Sequence, residues 1–126
     1  MKTIISTSKA PSAVGAYNQA VLAAGTLYVS GQIAIDPITG SLVLNSIEDE
    51  TNQVMKNLGS VLEEAGMSYE NIVKCSVFVS DMEMYSRINT VYASYFDEET
   101  APARELVEVV NLPKYVNVEI SCISVK

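Results

Sequence analysis

The chain contains no histidine, and this absence excludes several common kinds of catalytic site. Serine and cysteine nucleophiles are usually activated by a neighbouring histidine, and the usual zinc sites also take histidine ligands. The two cysteines, Cys75 and Cys122, lie far apart in strand-like runs. This placement is typical of free, buried thiols. We therefore expect no metal site and no cysteine or serine nucleophile of the Ser-His or Cys-His type.

Basic residues are also scarce. The chain has 8 lysines and arginines against 15 acidic residues, which gives a formal net charge of −7. Such a surface repels a phosphate backbone, so nucleic acid is not an expected partner. No glycine-rich phosphate loop is present, and we expect no nucleotide or other cofactor.

Long apolar runs are absent as well. The longest, Ala20 to Val29, is interrupted by Gly25 and Thr26 and is shorter than the ~20 residues that a membrane helix needs. Lys2 is followed by only two apolar residues before Ser6, which is too few for a signal peptide. We expect a cytoplasmic protein without membrane association. A length of 126 residues, 48% of them hydrophobic, predicts one globular domain over residues 1–126.

The apolar patterns predict short strands in the first part of the chain and two amphipathic helices. Ile4 and Ile5 suggest a first strand, and Ala20–Ala23 with Leu27–Ser30 suggest a hairpin. Ser46 and Asp49 resemble a capping box that opens a helix, which ends at Gly66. The second helix is expected to begin at Asp81 and to bury one stripe of residues: Met84, Ile88, Val91, Tyr92, Tyr95 and Phe96.

Between the helices, the nearly continuous apolar run Ile72–Val79 predicts a central strand that is covered on both faces. Two alternating runs follow the second helix and are separated by a turn at residues 111–115. We expect them to form a hairpin that brings Arg104 close to Glu119. The whole order predicts an α+β domain with two helices on one face of a mixed sheet. The other face would be covered by further copies of the chain, so we expect a homo-oligomer.

Several short segments together resemble the RidA/YjgF family of reactive-intermediate deaminases, some members of which are labelled L-PSP endoribonucleases. The resemblance covers nearly the whole chain, in this order: Ala10-Pro11, Gly15-Ala16-Tyr17, Val29-Ser30-Gly31-Gln32, Val77-Phe78-Val79, Asn89, Pro102-Ala103-Arg104, Leu112-Pro113 and Val118-Glu119-Ile120. It implies a chorismate-mutase-like fold and a homotrimer with clefts between neighbouring subunits.

The resemblance also implies an activity, which is the hydrolysis of 2-imino acids such as 2-iminobutanoate and 2-aminoacrylate to 2-oxo acids and ammonia. Pyridoxal-phosphate-dependent dehydratases would release these substrates. By the same resemblance Arg104, Glu119 and Tyr17 are the catalytic candidates, with Arg104 also binding the substrate carboxylate. The remaining substrate-binding candidates are Ser30, Gly31, Asn89 and Leu106.

The chemistry of the side chains fits these roles. A guanidinium offers a planar, permanently charged fork to a carboxylate, and a carboxylate within reach can place and deprotonate water. Ordinary structural roles are open for the same residues: Arg104 in an ion pair with Glu105 or Glu119, Glu119 on a solvated strand face, and Asn89 as a surface amide. Tyr17 and Ser30 could likewise be purely structural.

The chain departs from the family pattern at three positions. Ala16 stands where a proline is usual, Glu105 replaces a small residue, and Leu106 replaces a cysteine that the best-studied branch carries. These changes bear on substrate preference. Two alternatives stay open from the sequence: a non-catalytic trimer that binds small carboxylates or partner proteins, and an RNA-directed endoribonuclease or translation inhibitor.

Overall fold

A computed structural model describes all residues from Met1 to Lys126. It has six strands and two α-helices. The strands are β1 (Lys2–Ile5), β2 (Ala20–Ala23), β3 (Thr26–Gln32), β4 (Ile72–Val79), β5 (Ala103–Glu108) and β6 (Val118–Val125). The helices are α1 (Ile47–Glu64) and α2 (Tyr85–Ala93). The fold is therefore a mixed α+β structure, as expected.

All six strands form one sheet in the order β1-β2-β3-β6-β4-β5. Strand β6 is antiparallel to both β3 and β4, whereas β5 lies at the edge and is parallel to β4. The predicted hairpin between the last two strands is thus wrong. Both strands pair with β4, one on each side, because the chain between them crosses over β4 instead of turning back on itself.

Helix α1 confirms the strongest local prediction. The Ser46 side chain accepts a hydrogen bond from the Asp49 backbone N–H at 3.0 Å, and Gly66 follows the helix with a φ of 74°. A side-chain oxygen at the N-cap satisfies a donor that the first helical turn leaves free, and glycine adopts a positive φ without a steric penalty. The β2–β3 hairpin is also confirmed, with its turn at Ala24 and Gly25.

The second helix is shorter than predicted. Asp81 caps a 3₁₀ turn over Met82–Met84, and the α-helix then runs only from Tyr85 to Ala93. Tyr95 and Phe96 lie beyond its end, where they pack against the core together with Tyr69. Aromatic packing, rather than helix geometry, therefore places the last two residues of the predicted stripe.

One hydrophobic core lies between the sheet and the two helices. Alternate residues of the central strands face it, including Cys75 and Val77 of β4 and Ile120 of β6, and they meet Leu58 of α1 and Ile88 of α2. Both cysteines are free and buried there, as predicted. Neither helix has the length and apolar character that a membrane span requires.

The opposite face of the sheet is open. The prediction that strand Ile72–Val79 is covered on both faces is wrong for the single chain, because Val73 is 44% exposed and Phe78 is only partly buried. By strand register this face also presents further apolar side chains, among them Ile4, Tyr28, Val107 and Ile123. We call the surface formed by Phe78 and these side chains the open face.

Candidate active site

Arg104 is the second residue of the edge strand β5 and points toward the helices. Its register partner is Cys75, a buried residue of the core-facing side. The guanidinium donates one hydrogen bond to Asn89 Oδ1 at 2.7 Å and one to the Tyr85 hydroxyl at 3.1 Å. It also lies over the Tyr92 ring, 4.9 Å from the ring centroid. The side chain is thus fixed from three directions by α2.

No carboxylate neutralises Arg104. The two ion pairs of the chain join Lys74 to Glu105 and Arg87 to Glu48. The predicted structural alternative, an ion pair of Arg104 with Glu105 or Glu119, is therefore absent. A guanidinium has five N–H donors, and only two are used here. Three donors and a full positive charge remain for a ligand.

Two of the residues around Arg104 were not found from the sequence. The sequence places Tyr92 in the buried stripe of the second helix, because aromatic residues at helical spacing normally mark a core, and it gives Tyr85 no role. The available signal was the spacing itself: Tyr85, Asn89 and Tyr92 follow the i, i+4, i+7 pattern of one helix face. Only the position of β5 relative to α2 shows that this face meets Arg104. Asn89 is therefore a partner of Arg104 and not a simple surface amide.

Glu119 lies near the start of β6 on the open-face side. It is half-buried, and no hydrogen bond or ion pair holds its carboxylate. Burial raises the pKa of Glu119 above its usual value, since the charged form loses solvation. An isolated carboxylate of this kind is a good candidate for accepting a proton from water.

Gly31 makes room for Glu119. The ladder between β3 and β6 is irregular between Val29 and Gln32, and this irregularity brings the backbone at Gly31 against the glutamate. A Cβ atom on residue 31 would lie 2.8 Å from both Cδ and Oε2 of Glu119. Only glycine allows this carboxylate position without a displacement.

A loop before β2 closes the same region. Tyr17 is exposed on this loop, and Ser30 donates its hydroxyl hydrogen to the carbonyl of Asn18 at 2.6 Å. The buried Gln19 holds the start of the loop through hydrogen bonds to Thr7, Ala10 and Pro11. Gln19 was not singled out from the sequence, because a lone glutamine carries no motif.

The candidate residues line two separate pockets. The first, here called the glutamate pocket, has a volume of ≈ 550 Å³ and includes Tyr17, Ser30, Gly31, Lys114 and Glu119. The second, the arginine pocket, has a volume of ≈ 710 Å³ and includes Asn89, Tyr92, Phe96, Glu98 and Arg104. Leu106 lines neither pocket and packs against the core.

Arg104 and Glu119 do not meet within one chain. Arg104 pairs with Cys75 and Glu119 with Phe78, so they lie two strands apart and three positions along the sheet. Standard strand spacings then separate their Cα atoms by about 14 Å. The two side chains also point to opposite faces. The predicted proximity of Arg104 and Glu119 across a hairpin is therefore wrong.

Comparison with known proteins decides the family. The model of the family described as Endoribonuclease L-PSP matches residues 7–126. A RutC family protein from Synechocystis is 51% identical over 123 residues, covering 97% of this chain and 95% of that protein. The 2-iminobutanoate/2-iminopropanoate deaminase of Rattus norvegicus is 44% identical, covering 100% and 91%. A Rid family structure from Yersinia pestis has a TM-score of 0.97 and 47% identity, covering 100% of both chains.

The chain belongs to the L-PSP family. The resemblance predicted from its short motifs, under the name RidA/YjgF, is thereby confirmed. The protein of known structure from Yersinia pestis is described as a protein of unknown function that belongs to the Rid family. The comparisons thus establish family and fold, and the two pockets give this L-PSP chain its candidate site.

The two departures that follow Arg104 point to different sides of the sheet of this L-PSP chain. Glu105 lies on the open-face side, where it accepts a hydrogen bond from Ser76 and forms an ion pair with Lys74 at 3.0 Å. The Ser76 hydrogen bond and the Lys74 charge hold the pKa of Glu105 below its usual value. Leu106 is on the core side in register with Val77. Neither side chain contacts the Arg104 guanidinium in the way that Asn89 and Tyr85 do.

Proposed function

We propose that this protein hydrolyses 2-imino acids, such as 2-iminobutanoate and 2-iminopropanoate, to 2-oxo acids and ammonia. The observation that carries the proposal is the unneutralised Arg104 guanidinium in the arginine pocket. Every substrate of this class carries a carboxylate next to the C=N carbon, and a bidentate charged contact suits it. The names of relatives at 44% and 40% identity, from Rattus norvegicus and Homo sapiens, support the same activity.

A complete site requires a second copy of the chain. Arg104 and Glu119 are too far apart in one chain to act on one small substrate, yet each lies in a pocket that opens to solvent. The open face supplies a reason for copies to associate, since Tyr28 and Val107 are 51% and 42% exposed there. We therefore assign the active site to the cleft between neighbouring subunits of a homotrimer, with the arginine pocket of one facing the glutamate pocket of the next.

The reaction needs only positioned polar groups. Glu119 takes a proton from water while the water oxygen bonds to C2 and the C=N electron pair moves to nitrogen, and Glu119 then gives this proton to the nitrogen. The resulting carbinolamine then loses ammonia: the C–N bond breaks, the hydroxyl proton passes to the departing nitrogen, and the C=O bond forms. One water is consumed and nothing is oxidised or reduced. Tyr17 and Ser30 would orient the water or the substrate in this scheme.

The deciding experiment follows imine loss directly. A serine or threonine dehydratase generates the imino acid in the cuvette, and its decay is recorded with and without this protein. We expect acceleration by the wild type and a loss of at least ~100-fold in kcat/KM for Arg104→Ala, because the carboxylate loses a bidentate charged contact. Arg87→Ala is the matched control, since Arg87 pairs with Glu48 on the surface.

The outcomes separate this proposal from the alternatives. No acceleration by the wild type, or full activity in Arg104→Ala, would overturn the deaminase assignment. Carboxylate binding without turnover would indicate the non-catalytic binding protein. Salt-dependent RNA binding that disappears in Arg104→Ala would favour an endoribonuclease activity, which the family's description names. The net charge of −7 opposes RNA binding.

A further inference from the structure

Three residues of α2 converge on the Arg104 guanidinium. Asn89 and Tyr85 each accept one hydrogen bond, from Nη1 at 2.7 Å and Nη2 at 3.1 Å. The guanidinium carbon lies 4.9 Å from the Tyr92 ring centroid and 5.8 Å from that of Tyr85. Both distances are within the range of cation–π attraction. Each terminal nitrogen is thus tied to α2, and one ring lies directly against the cation.

The Tyr92 hydroxyl has no part in this arrangement. Tyr92 is 5% exposed, and its hydroxyl oxygen is buried without a hydrogen-bond partner. A buried hydroxyl without a partner normally destabilises a fold. The contribution of Tyr92 that the structure does display is its ring, which lies between Arg104 and the core and lines the arginine pocket.

An arginine side chain normally loses much of its conformational freedom when it binds a ligand. Here that loss has occurred before binding, because the strand fixes the Cα of Arg104 and α2 fixes its guanidinium. Preorganisation of this kind increases affinity without adding a contact to the ligand. The three unused N–H donors then keep constant directions, on a side chain that lines the arginine pocket.

We propose that Tyr85 and Tyr92 are positioning residues, which hold the Arg104 guanidinium in one plane and direction so that a substrate carboxylate meets a pre-oriented fork. Tyr85 acts through its hydroxyl and Tyr92 through its ring. This inference rests on the proposed role of Arg104 in carboxylate binding. It assigns carboxylate selectivity to α2, which acts through the orientation of Arg104.

The test uses four variants: Tyr85→Phe, Tyr92→Phe, Tyr92→Leu and, as the matched control, Tyr95→Phe. Tyr95 also donates its hydroxyl hydrogen to a side chain, that of Asn52, but lies away from Arg104. Binding of pyruvate and of its neutral amide, pyruvamide, is measured by calorimetry. KM and kcat for imine loss are measured alongside.

Tyr85→Phe should raise the Kd of pyruvate about fivefold, since a hydrogen bond to a charged group is lost. Tyr92→Leu should raise it about tenfold, because the ring under the cation is removed. Tyr92→Phe retains the ring and should stay within about twofold of wild type. Pyruvamide affinity should not change in any variant. Since the anchor binds substrate and transition state alike, KM should follow the Kd of pyruvate while kcat is retained.

Wild-type pyruvate affinity in both Tyr85→Phe and Tyr92→Leu would overturn the proposal. Equal losses in Tyr92→Phe and Tyr92→Leu, or a comparable loss in Tyr95→Phe, would do the same, because a general effect on folding would then explain them. Tyr85→Phe keeps the test valid if Tyr92→Leu does not fold, since Tyr85 is 36% exposed. The binding data stand without turnover, so an inactive wild type would remove the deaminase proposal and leave this one intact.

Discussion

Arg104 and Glu119 carry opposite charges, and the fold keeps each of them out of an ion pair. The chain has two ion pairs, Lys74 with Glu105 and Arg87 with Glu48, and neither includes Arg104 or Glu119. Arg104 is instead held by neutral acceptors and a ring, which leave its charge uncompensated. Glu119 is held by packing against Gly31. Both groups are consequently free to act on a ligand.

The raised pKa of Glu119 predicts a pH dependence of activity. As the pH falls through this pKa, the carboxylate becomes protonated and can no longer accept a proton from water. The acid limb of kcat/KM should therefore lie at a higher pH than for an ordinary glutamate. In Glu119→Gln the limb should disappear and kcat should fall about 100-fold. A pH profile of imine loss with both proteins checks this, and an unchanged limb in Glu119→Gln would contradict it.

The raised pKa of Glu119 should also make the free energy of unfolding depend on pH. A carboxyl group whose pKa is higher in the folded than in the unfolded state binds more protons when folded, so its effect destabilises the fold as the pH rises through that window. Glu119→Gln removes this penalty and should be slightly more stable than wild type at neutral pH. The difference in stability should vanish at a pH below the pKa that the Glu119 carboxyl group has in the unfolded chain.

Gly31 provides a second test at the residue scale. Gly31→Ala places a methyl group where the Glu119 carboxylate now lies, and the flexible glutamate can move away. We expect at least a tenfold loss of kcat with a change in unfolding free energy below about 1 kcal/mol. Kinetics and urea unfolding measure the two effects.

A double-mutant cycle gives the control for Gly31→Ala. If the alanine acts only by displacing Glu119, it should have little further effect in a Glu119→Gln background. Additive losses would show that Gly31 acts by another route, such as contact with the ligand.

At the scale of elements, the sequence is informative where the signal is local. Helix α1 has its N-cap at Ser46 and its stop at Gly66, and the β2–β3 hairpin has a glycine in its turn; both were predicted because the deciding residues are neighbours in the chain. The place of β5 in the sheet depends on its pairing with β4. In this pairing Arg104 lies beside Cys75, which is some thirty residues earlier in the chain. Alternation cannot show such a partner, since it marks faces and not neighbours.

The candidate site shows the same limit. The family motifs indicate Arg104, Glu119, Tyr17, Ser30, Gly31 and Asn89, because those residues match in type and order. They do not indicate Tyr85, Tyr92 or Gln19, whose roles depend on tertiary contacts. Leu106 is a prediction that the structure leaves outside both pockets. Residue types could thus be predicted, and their spatial grouping could not.

Glu50 connects two elements that are far apart in sequence. This carboxylate in the first turns of α1 is 1% exposed. It accepts hydrogen bonds from the Asn117 backbone N–H at 2.8 Å, the Asn117 side-chain amide at 2.8 Å and the Val118 N–H at 3.2 Å. Its negative charge in the first turn of α1 also suits the helix dipole. In the fold it secures the start of β6 at Val118, the residue directly before Glu119.

Glu50→Ala should therefore destabilise the protein. Three donors, one buried and two partly buried, lose their acceptor, and we expect a loss of about 3 kcal/mol in unfolding free energy. Chemical denaturation measures it. Glu64→Ala, at the exposed end of the same helix, is the control and should change stability by less than about 0.5 kcal/mol. Equal effects of the two variants would show that the Glu50 hydrogen bonds contribute little.

At the scale of the whole molecule, the proposed association of copies would account for both the two incomplete pockets and the uncovered apolar face. The homotrimer that we propose would bury the open faces and would join each arginine pocket to the glutamate pocket of a neighbour. A single chain offers neither benefit, because its own Arg104 and Glu119 lie about 14 Å apart by strand spacing. Sedimentation equilibrium should accordingly give a trimer at micromolar concentration, and a monomer would contradict the assignment.

Subunit mixing tests directly whether the site is shared. Arg104→Ala and Glu119→Gln should each be nearly inactive alone, since every cleft lacks one group. If the two variants are unfolded together and refolded as mixed trimers, some clefts combine an intact Arg104 from one subunit with an intact Glu119 from its neighbour. Random assortment makes about one cleft in four complete, so activity should recover to roughly a quarter of wild type. Variants refolded separately and then mixed are the control. If both residues acted within the same subunit, no mixture would recover activity, because each chain carries a defect that its neighbours could not repair.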